Sequence, residues 1–152
     1  MCADVEAGTP RPMGGSMRQE LTINLKGGMK VDASVRDFTV STDQPRSDEG
    51  CNSAPTPLEL FFASLGTCAG TNVAYFCIER EIPYKDINIK LIVDRDDRTR
   101  AVRKISLDIR VPADFPEKYK DALLKAVDLC AVKKAIRAQP DIVATVSNGH
   151  KA

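Results

Sequence analysis

From Glu20 to Asp43 apolar and polar residues alternate: Leu21, Ile23 and Leu25, then Val31, Ala33 and Val35, then Phe38 and Val40. Successive side chains of a strand point to opposite faces, so this period predicts two or three antiparallel strands. The stretch KGGMK between the first two runs supplies the hairpin turn, because glycine accepts a positive φ there. A second alternating block predicts another hairpin, with Ile87, Ile89, Leu91 and Val93 answering Ile105, Leu107, Ile109 and Val111. Between the blocks the pattern changes. Ala54–Arg80, APTPLELFFASLGTCAGTNVAYFCIER, reads as one helix with almost no charge on any side. Thr56 and Pro57 are start signals, a capping hydroxyl and a residue suited to the first helical position, and Pro83 is the stop. FPEKYKDALLKAVDLCAVKKAIRAQ is helical with a break near Asp128–Cys130, and DIVATV reads as a last short strand.

Strands, helix, strands, helix, strand is the order of an α+β fold with antiparallel sheets packed around a long buried central helix. A helix that is apolar all round needs cover on every side. A chain of this size offers a sheet on one side only, which predicts a homodimer. Leu60 to Ile78 is uncharged over nineteen residues, close to the lower limit for a membrane span. Ser64, Thr67, Thr71, Asn72 and two glycines dilute its hydrophobicity, so a core helix is expected and no membrane.

Composition narrows the function classes. The chain's 152 residues suffice for one core without a metal or disulfide staple. Residues 1–18, MCADVEAGTPRPMGGSMR, are Gly/Pro-rich and aperiodic, a flexible tail ahead of a single domain over 19–152. A net charge of +1 with the two signs well mixed argues against nucleic acid as a partner, and the absence of Trp argues against a base-stacking platform. Five cysteines show no CxxC spacing and the single histidine, His150, lies in a polar tail, so neither a metal nor a bound cofactor is implied. No basic start followed by an apolar run appears in the first twenty residues, so the thiols are expected in a reducing cytoplasm. A serine hydrolase is a poor fit, since there is no G-x-S-x-G elbow.

The candidate chemistry is in sulfur. On a helix, positions three and four apart share a face, so Ser64, Cys68, Asn72, Tyr75 and Glu79 form one weakly polar stripe. Cys77, nine residues beyond Cys68, is turned about 180° away and reads as a core residue. Cys68, between Gly66, Ala69 and Gly70, is either a small residue for close helix packing or a reactive thiol. Its own helix dipole gives it little, because it lies eleven residues past Pro57, about 16 Å along the axis. A stabilised thiolate there requires a group from another element or chain. Cys130, on a face with Tyr119, Leu123, Ala126 and Val127, is either a further core thiol or a partner for Cys68, and only spatial proximity separates the two readings.

DQPRSDEGCNSAPTPLELFFASLGTC, followed some sixty residues later by DLCAVKKAI, resembles the family of osmotically inducible protein C and organic hydroperoxide resistance protein (OsmC/Ohr), closest to the OsmC-like branch. The resemblance runs from roughly Leu21 to Val146. It implies an intertwined α+β homodimer with active sites at the subunit interface and two-cysteine reduction of organic hydroperoxides. By position Cys68 matches the peroxidatic cysteine, Cys130 the resolving one, and Glu59 the acidic residue at the helix start. Where the peroxidase members carry an arginine on the N-terminal hairpin, the turn NLKGGMKVD offers Lys26 or Lys30, with Arg36 and Arg46 nearby; Ala131 stands where the family often has proline. The reaction implied uses an organic hydroperoxide and an external dithiol reductant, with Phe61, Phe62 and Leu65 as an apolar wall. The competing reading is a non-catalytic dimer that binds an apolar small molecule or senses redox state through its cysteines.

Overall fold

A computed structural model describes residues 18–148. Residues 1–17, with Cys2 and nearly all of the expected tail, lie outside the described residues, as do 149–152 with His150. The described residues form two compact units, which divide between Thr56 and Pro57.

In the first unit β1 (Thr22–Gly27), β2 (Lys30–Val35) and β3 (Phe38–Thr42) make an antiparallel sheet in that order. Ile23 pairs with Ala33, Leu25 with Val31 and Ala33 with Val40, the register that keeps the alternating residues together. Gly27 and Gly28 turn the first hairpin at φ +97° and +57°. Beyond β3 the loop is organised around Asp43, which is 1% exposed. Its carboxylate accepts the N–H groups of Gln44 (2.8 Å), Cys51 (3.2 Å) and Ser53 (2.9 Å) and the Ser53 hydroxyl (2.7 Å). Gly50 passes so close to the Gln44 carbonyl that an added Cβ would lie 1.8 Å from its oxygen.

The second unit opens with α1, running unbroken from Pro57 to Ile78. It ends before Pro83 is reached: Glu81 takes the left-handed conformation (φ 54°) and the Ile82 N–H reaches back to the Cys77 carbonyl at 2.9 Å. The hairpin of β4 (Asn88–Arg95) and β5 (Val102–Arg110) pairs Ile89 with Ile109, Leu91 with Leu107 and Val93 with Ile105, as the apolar pattern predicts. Gly66 and Gly70 let it come close to α1, their missing Cβ positions lying 3.7 Å from Leu91 Cδ1 and 3.9 Å from Ile89 Cδ1. The expected break in the C-terminal helix is real, giving α2 (Lys120–Asp128) and α3 (Ala131–Ala138). Ala69, Val73, Phe76 and Cys77 of α1 form the core with Phe115, Leu123 and Val127.

The result is the α+β architecture expected, with one difference in detail. DIVATV is not a strand; residues 139–148 carry no regular element, and Ile142, Val143 and Val146 are exposed. Alternation alone supplies no ladder partner for backbone N–H and C=O groups. As expected of a single chain, the central helix leaves Leu58, Phe61, Tyr75 and Ile78 exposed. By length and composition α1 could cross a membrane, but six of its residues are buried in the fold.

Candidate active site

Cys68 sits half-buried at the middle of α1, and the element that meets it is the start of α3. Local geometry explains why α3 begins there. Cys130 is extended (φ −51°, ψ 123°) and acts as the N-cap, its Sγ accepting the Lys133 N–H at 3.4 Å as a serine or aspartate oxygen does elsewhere. Lys134 makes the first bond inside the helix, to the Cys130 carbonyl at 3.0 Å. The N–H groups of Ala131, Val132 and Lys133 therefore have no carbonyl partner within α3. Of these, the Lys133 N–H goes to the Cys130 sulfur.

The two thiols lie near enough to influence each other's ionisation, so residues 62 positions apart in sequence belong to one site. Burial by itself would raise the Cys68 pKa. The Cys130 S–H and the N–H groups of Val132 and Ala131 outweigh it and bring that pKa below the ordinary thiol value. For Cys130 the balance is reversed: burial and the neighbouring Cys68 sulfur push its pKa up, against the pull of the Lys133 and Val132 N–H groups. One sulfur is thus favoured as the anion and the other as the proton-bearing thiol. Cys77 is fully buried, and burial raises its pKa despite the charge of Arg80, in keeping with a core role.

The remaining candidates are placed as follows. Glu59 lies in the first turn of α1 and is exposed; with the helix unbroken it is nine residues, about 13 Å, from Cys68 along the axis. Lys26 and Arg36 belong to the other unit. Lys26 lines a cavity of about 300 Å³ there with Lys30, Asp32 and Ser53, and Arg36 lies over the Phe38 ring at 5.0 Å. Of the apolar wall, Phe61 is two turns before Cys68 on the same face and half-exposed, whereas Phe62 and Leu65 are buried. One turn past Cys68 a groove of about 390 Å³ opens between α1 and α2, lined by Asn72, Tyr75, Phe76, Ala126 and Leu129. The Asn72 Nδ2 is buried there without a hydrogen-bond partner among the described residues. Helical spacing placed Asn72 on the Cys68 stripe, but the N–H donors of Ala131 and Val132 were not foreseen. The only sequence signal for them was a cysteine at a helix break, in the position of a cap. Among the described residues no cluster of His, Cys, Asp or Glu is arranged to hold a metal.

Comparisons with known proteins agree with this architecture. The family model described as OsmC-like protein matches residues 50–145. An OsmC-like protein from Mycoplasma pneumoniae is similar at a TM-score of 0.66 and 14% identity, over 82% of this chain and 91% of that one. An organic hydroperoxide resistance protein from Elizabethkingia anophelis is similar at 0.57 and 17% identity, over 84% and 93%. The organic hydroperoxide resistance protein OhrB of Bacillus subtilis is similar at 0.51 and 20% identity, over 81% and 93%. At these identities the likeness is one of fold. The family match begins at Gly50, so the earlier part of the resemblance, Leu21 to Glu49, rests on the structural likeness. A comparison with curated proteins found no significant match.

Proposed function

The chain belongs to the OsmC-like protein family, and on that premise we propose that it is a thiol-dependent peroxidase that reduces organic hydroperoxides. The observation that carries this reading is the packing of α1 against α3, which brings together two thiols of opposite tendency, Cys68 shifted toward the thiolate and Cys130 toward the thiol. A nucleophile and its resolving partner need that pairing. The fold neighbours named organic hydroperoxide resistance proteins support the substrate class.

In the proposed reaction the Cys68 thiolate attacks the distal oxygen of the hydroperoxide. The O–O bond breaks, the sulfur becomes a sulfenic acid, and the alkoxide leaves as the alcohol after taking up a proton. The Cys130 thiol then condenses with the sulfenic acid, forming the disulfide and releasing water. An external dithiol reduces the disulfide by exchange, its own two thiols becoming a disulfide. The apolar groove beside Asn72 accommodates the organic part of the substrate, with the free amide N–H as the polar contact within it. A cytoplasmic homodimer belongs to the same reading: a second copy covering Leu58, Phe61, Tyr75 and Ile78 would remove from water the apolar stripe a single chain leaves open.

The test is hydroperoxide consumption by the purified protein with dithiothreitol or a dihydrolipoyl donor. Cumene hydroperoxide is expected to be consumed faster than hydrogen peroxide, and Cys68→Ser to bring the rate down by on the order of 10³-fold or more, to background. Absence of turnover with both peroxides in the wild type would retire the enzyme reading in favour of a binding or redox-sensing dimer.

A further inference from the structure

We propose that Asn72 is a catalytic residue of the same site, its side-chain N–H donating to the carbon-bound oxygen of the hydroperoxide as that oxygen leaves. This deepens the peroxidase reading and rests on Cys68 being the nucleophile. From Ser64 to Asn72, α1 carries four polar side chains besides Cys68, and three of them are already satisfied within the helix. Ser64 donates its hydroxyl to the Phe61 carbonyl (2.7 Å), Thr67 to that of Ala63 (2.9 Å) and Thr71 to that of Thr67 (3.0 Å). Asn72 does not follow them. Its Nδ2 is buried and has no hydrogen-bond partner among the described residues. A buried donor left without an acceptor costs about 1–3 kcal/mol, so the acceptor is to be sought outside this chain.

Place and chemistry identify that acceptor. Asn72 stands four residues after Cys68, on the same face and about 6 Å along the axis. It lines the groove of about 390 Å³ between α1 and α2, whose other walls include Phe76, Ala126 and Leu129. A hydroperoxide poised for attack has its distal oxygen about 3–3.5 Å from the Cys68 sulfur and its O–O bond in line with it. The carbon-bound oxygen then points away from the sulfur, and with the organic group seated in the groove it comes beside Asn72. The sulfur's electron pair forms the S–O bond, the O–O pair stays on the carbon-bound oxygen, and negative charge develops there. A neutral donor at that point stabilises the alkoxide without adding a charge that the apolar groove would have to desolvate. The amide keeps its own protons, and a proton from water completes the alcohol. Rotation about the last side-chain torsion, which is broad and two-fold, presents the N–H to the groove with the helix unmoved.

The test compares the reduced wild-type protein with Asn72→Leu, which removes the donor and keeps most of the volume. Loss of the Cys68 thiol is followed by mass spectrometry after an iodoacetamide quench, with cumene hydroperoxide and with perbenzoic acid. Cumene hydroperoxide expels a strongly basic alkoxide and is expected to react about 10²-fold more slowly with the variant. Perbenzoic acid expels a carboxylate that needs no such donor, and its rate should fall by less than about 3-fold. Alkylation of Cys68 by iodoacetamide should be unchanged. Equal slowing of both peroxides, or slowing of neither, would overturn the proposal, because a displaced Cys68 does not distinguish leaving groups. Asn72→Ala, compared in the same way, decides if the leucine variant fails to fold. The thermal midpoint of Asn72→Leu is expected at or above that of wild type, since an unmet donor is gone. A midpoint lowered by several degrees in both variants would mean that the amide already has a partner, such as a second copy of the chain, and would equally overturn it. None of these measurements needs a dithiol. A protein in which Asn72 separates the two peroxides but that turns over neither would lose the peroxidase reading and keep the donor. A working peroxidase indifferent to Asn72→Leu would show the reverse, and a wild-type Cys68 that neither peroxide oxidises would end both.

Discussion

Asp43 and Cys68 are two acids held by the same device in different parts of the chain. In each, nearby main-chain N–H groups and one side-chain donor favour the anion. For Asp43 the Ser53 hydroxyl and N–H, with the N–H groups of Gln44 and Cys51, outweigh burial and lower the pKa from 3.8 to about 2. For Cys68 burial is outweighed by the Cys130 thiol and two N–H groups of α3. What differs is the side-chain donor. A serine hydroxyl has no further chemistry with a carboxylate, so the Asp43 site is closed and structural. A thiol beside a thiolate becomes a disulfide once an oxidant removes two electrons, so the Cys68 site is poised. The same electrostatics gives a fold-holding knot in one place and a candidate reaction centre in the other. The decision between them rests on one partner atom.

The strongest challenge to that contrast is chemical labelling. Iodoacetamide should modify Cys68 in the native reduced protein on the order of 10²-fold faster than Cys77, which burial holds as a neutral thiol and which is reached only by local unfolding. Equal rates by mass spectrometry would mean that α3 does nothing for Cys68. Next in size is Gly50→Ala. The new Cβ would overlap the Gln44 backbone, and about 2–3 kcal/mol of destabilisation is expected in urea unfolding. Gly28→Ala, at φ +57° with open space around it, should lose only about 1 kcal/mol. Similar losses for the two would show that the loop around Asp43 yields easily.

Asp43→Asn tests the carboxylate by pH. Because the folded pKa is depressed, the unfolded chain binds the extra proton first, and stability contributed by the carboxylate is present above about pH 4 and lost as pH falls toward 2. The gap in thermal midpoint between wild type and Asp43→Asn should therefore be full at pH 6 and close across that window. A gap independent of pH would assign the loss to shape and not to charge. The smallest effect belongs to Cys51→Ser. Cys51 lends its N–H to Asp43 while its side chain is exposed, so stability within about 0.5 kcal/mol of wild type and unchanged peroxide turnover are expected. A clear loss of turnover would bring a third thiol into the cycle.

Much of this molecule was legible from spacing. Alternation at Ile89, Leu91 and Val93 against Ile105, Leu107 and Ile109 anticipated the β4–β5 register residue by residue, because a strand's two faces follow from its own backbone. The helical period put Cys68 and Cys77 on opposite sides of α1, and one is half-buried at α3 while the other is sealed in the core. The same reasoning failed at DIVATV, where alternation was present and a neighbouring strand was not. It also passed over Asp43, which only closed the alternating block and gave no sign of the four donors that hold it.

Local periodicity determined which residues form each element, which face each one presents, and that a cysteine in the middle of a helix with so little charge would need help from elsewhere to ionise. It said nothing of where that help would come from. Only the packing of α3 against α1 decided this, by bringing Ala131 and Val132 to a sulfur more than sixty residues away. Face and period are properties of consecutive dihedral angles, whereas a contact over that separation depends on how the whole chain closes. The donors are backbone groups that every residue but proline carries, so no side chain in the sequence could announce them.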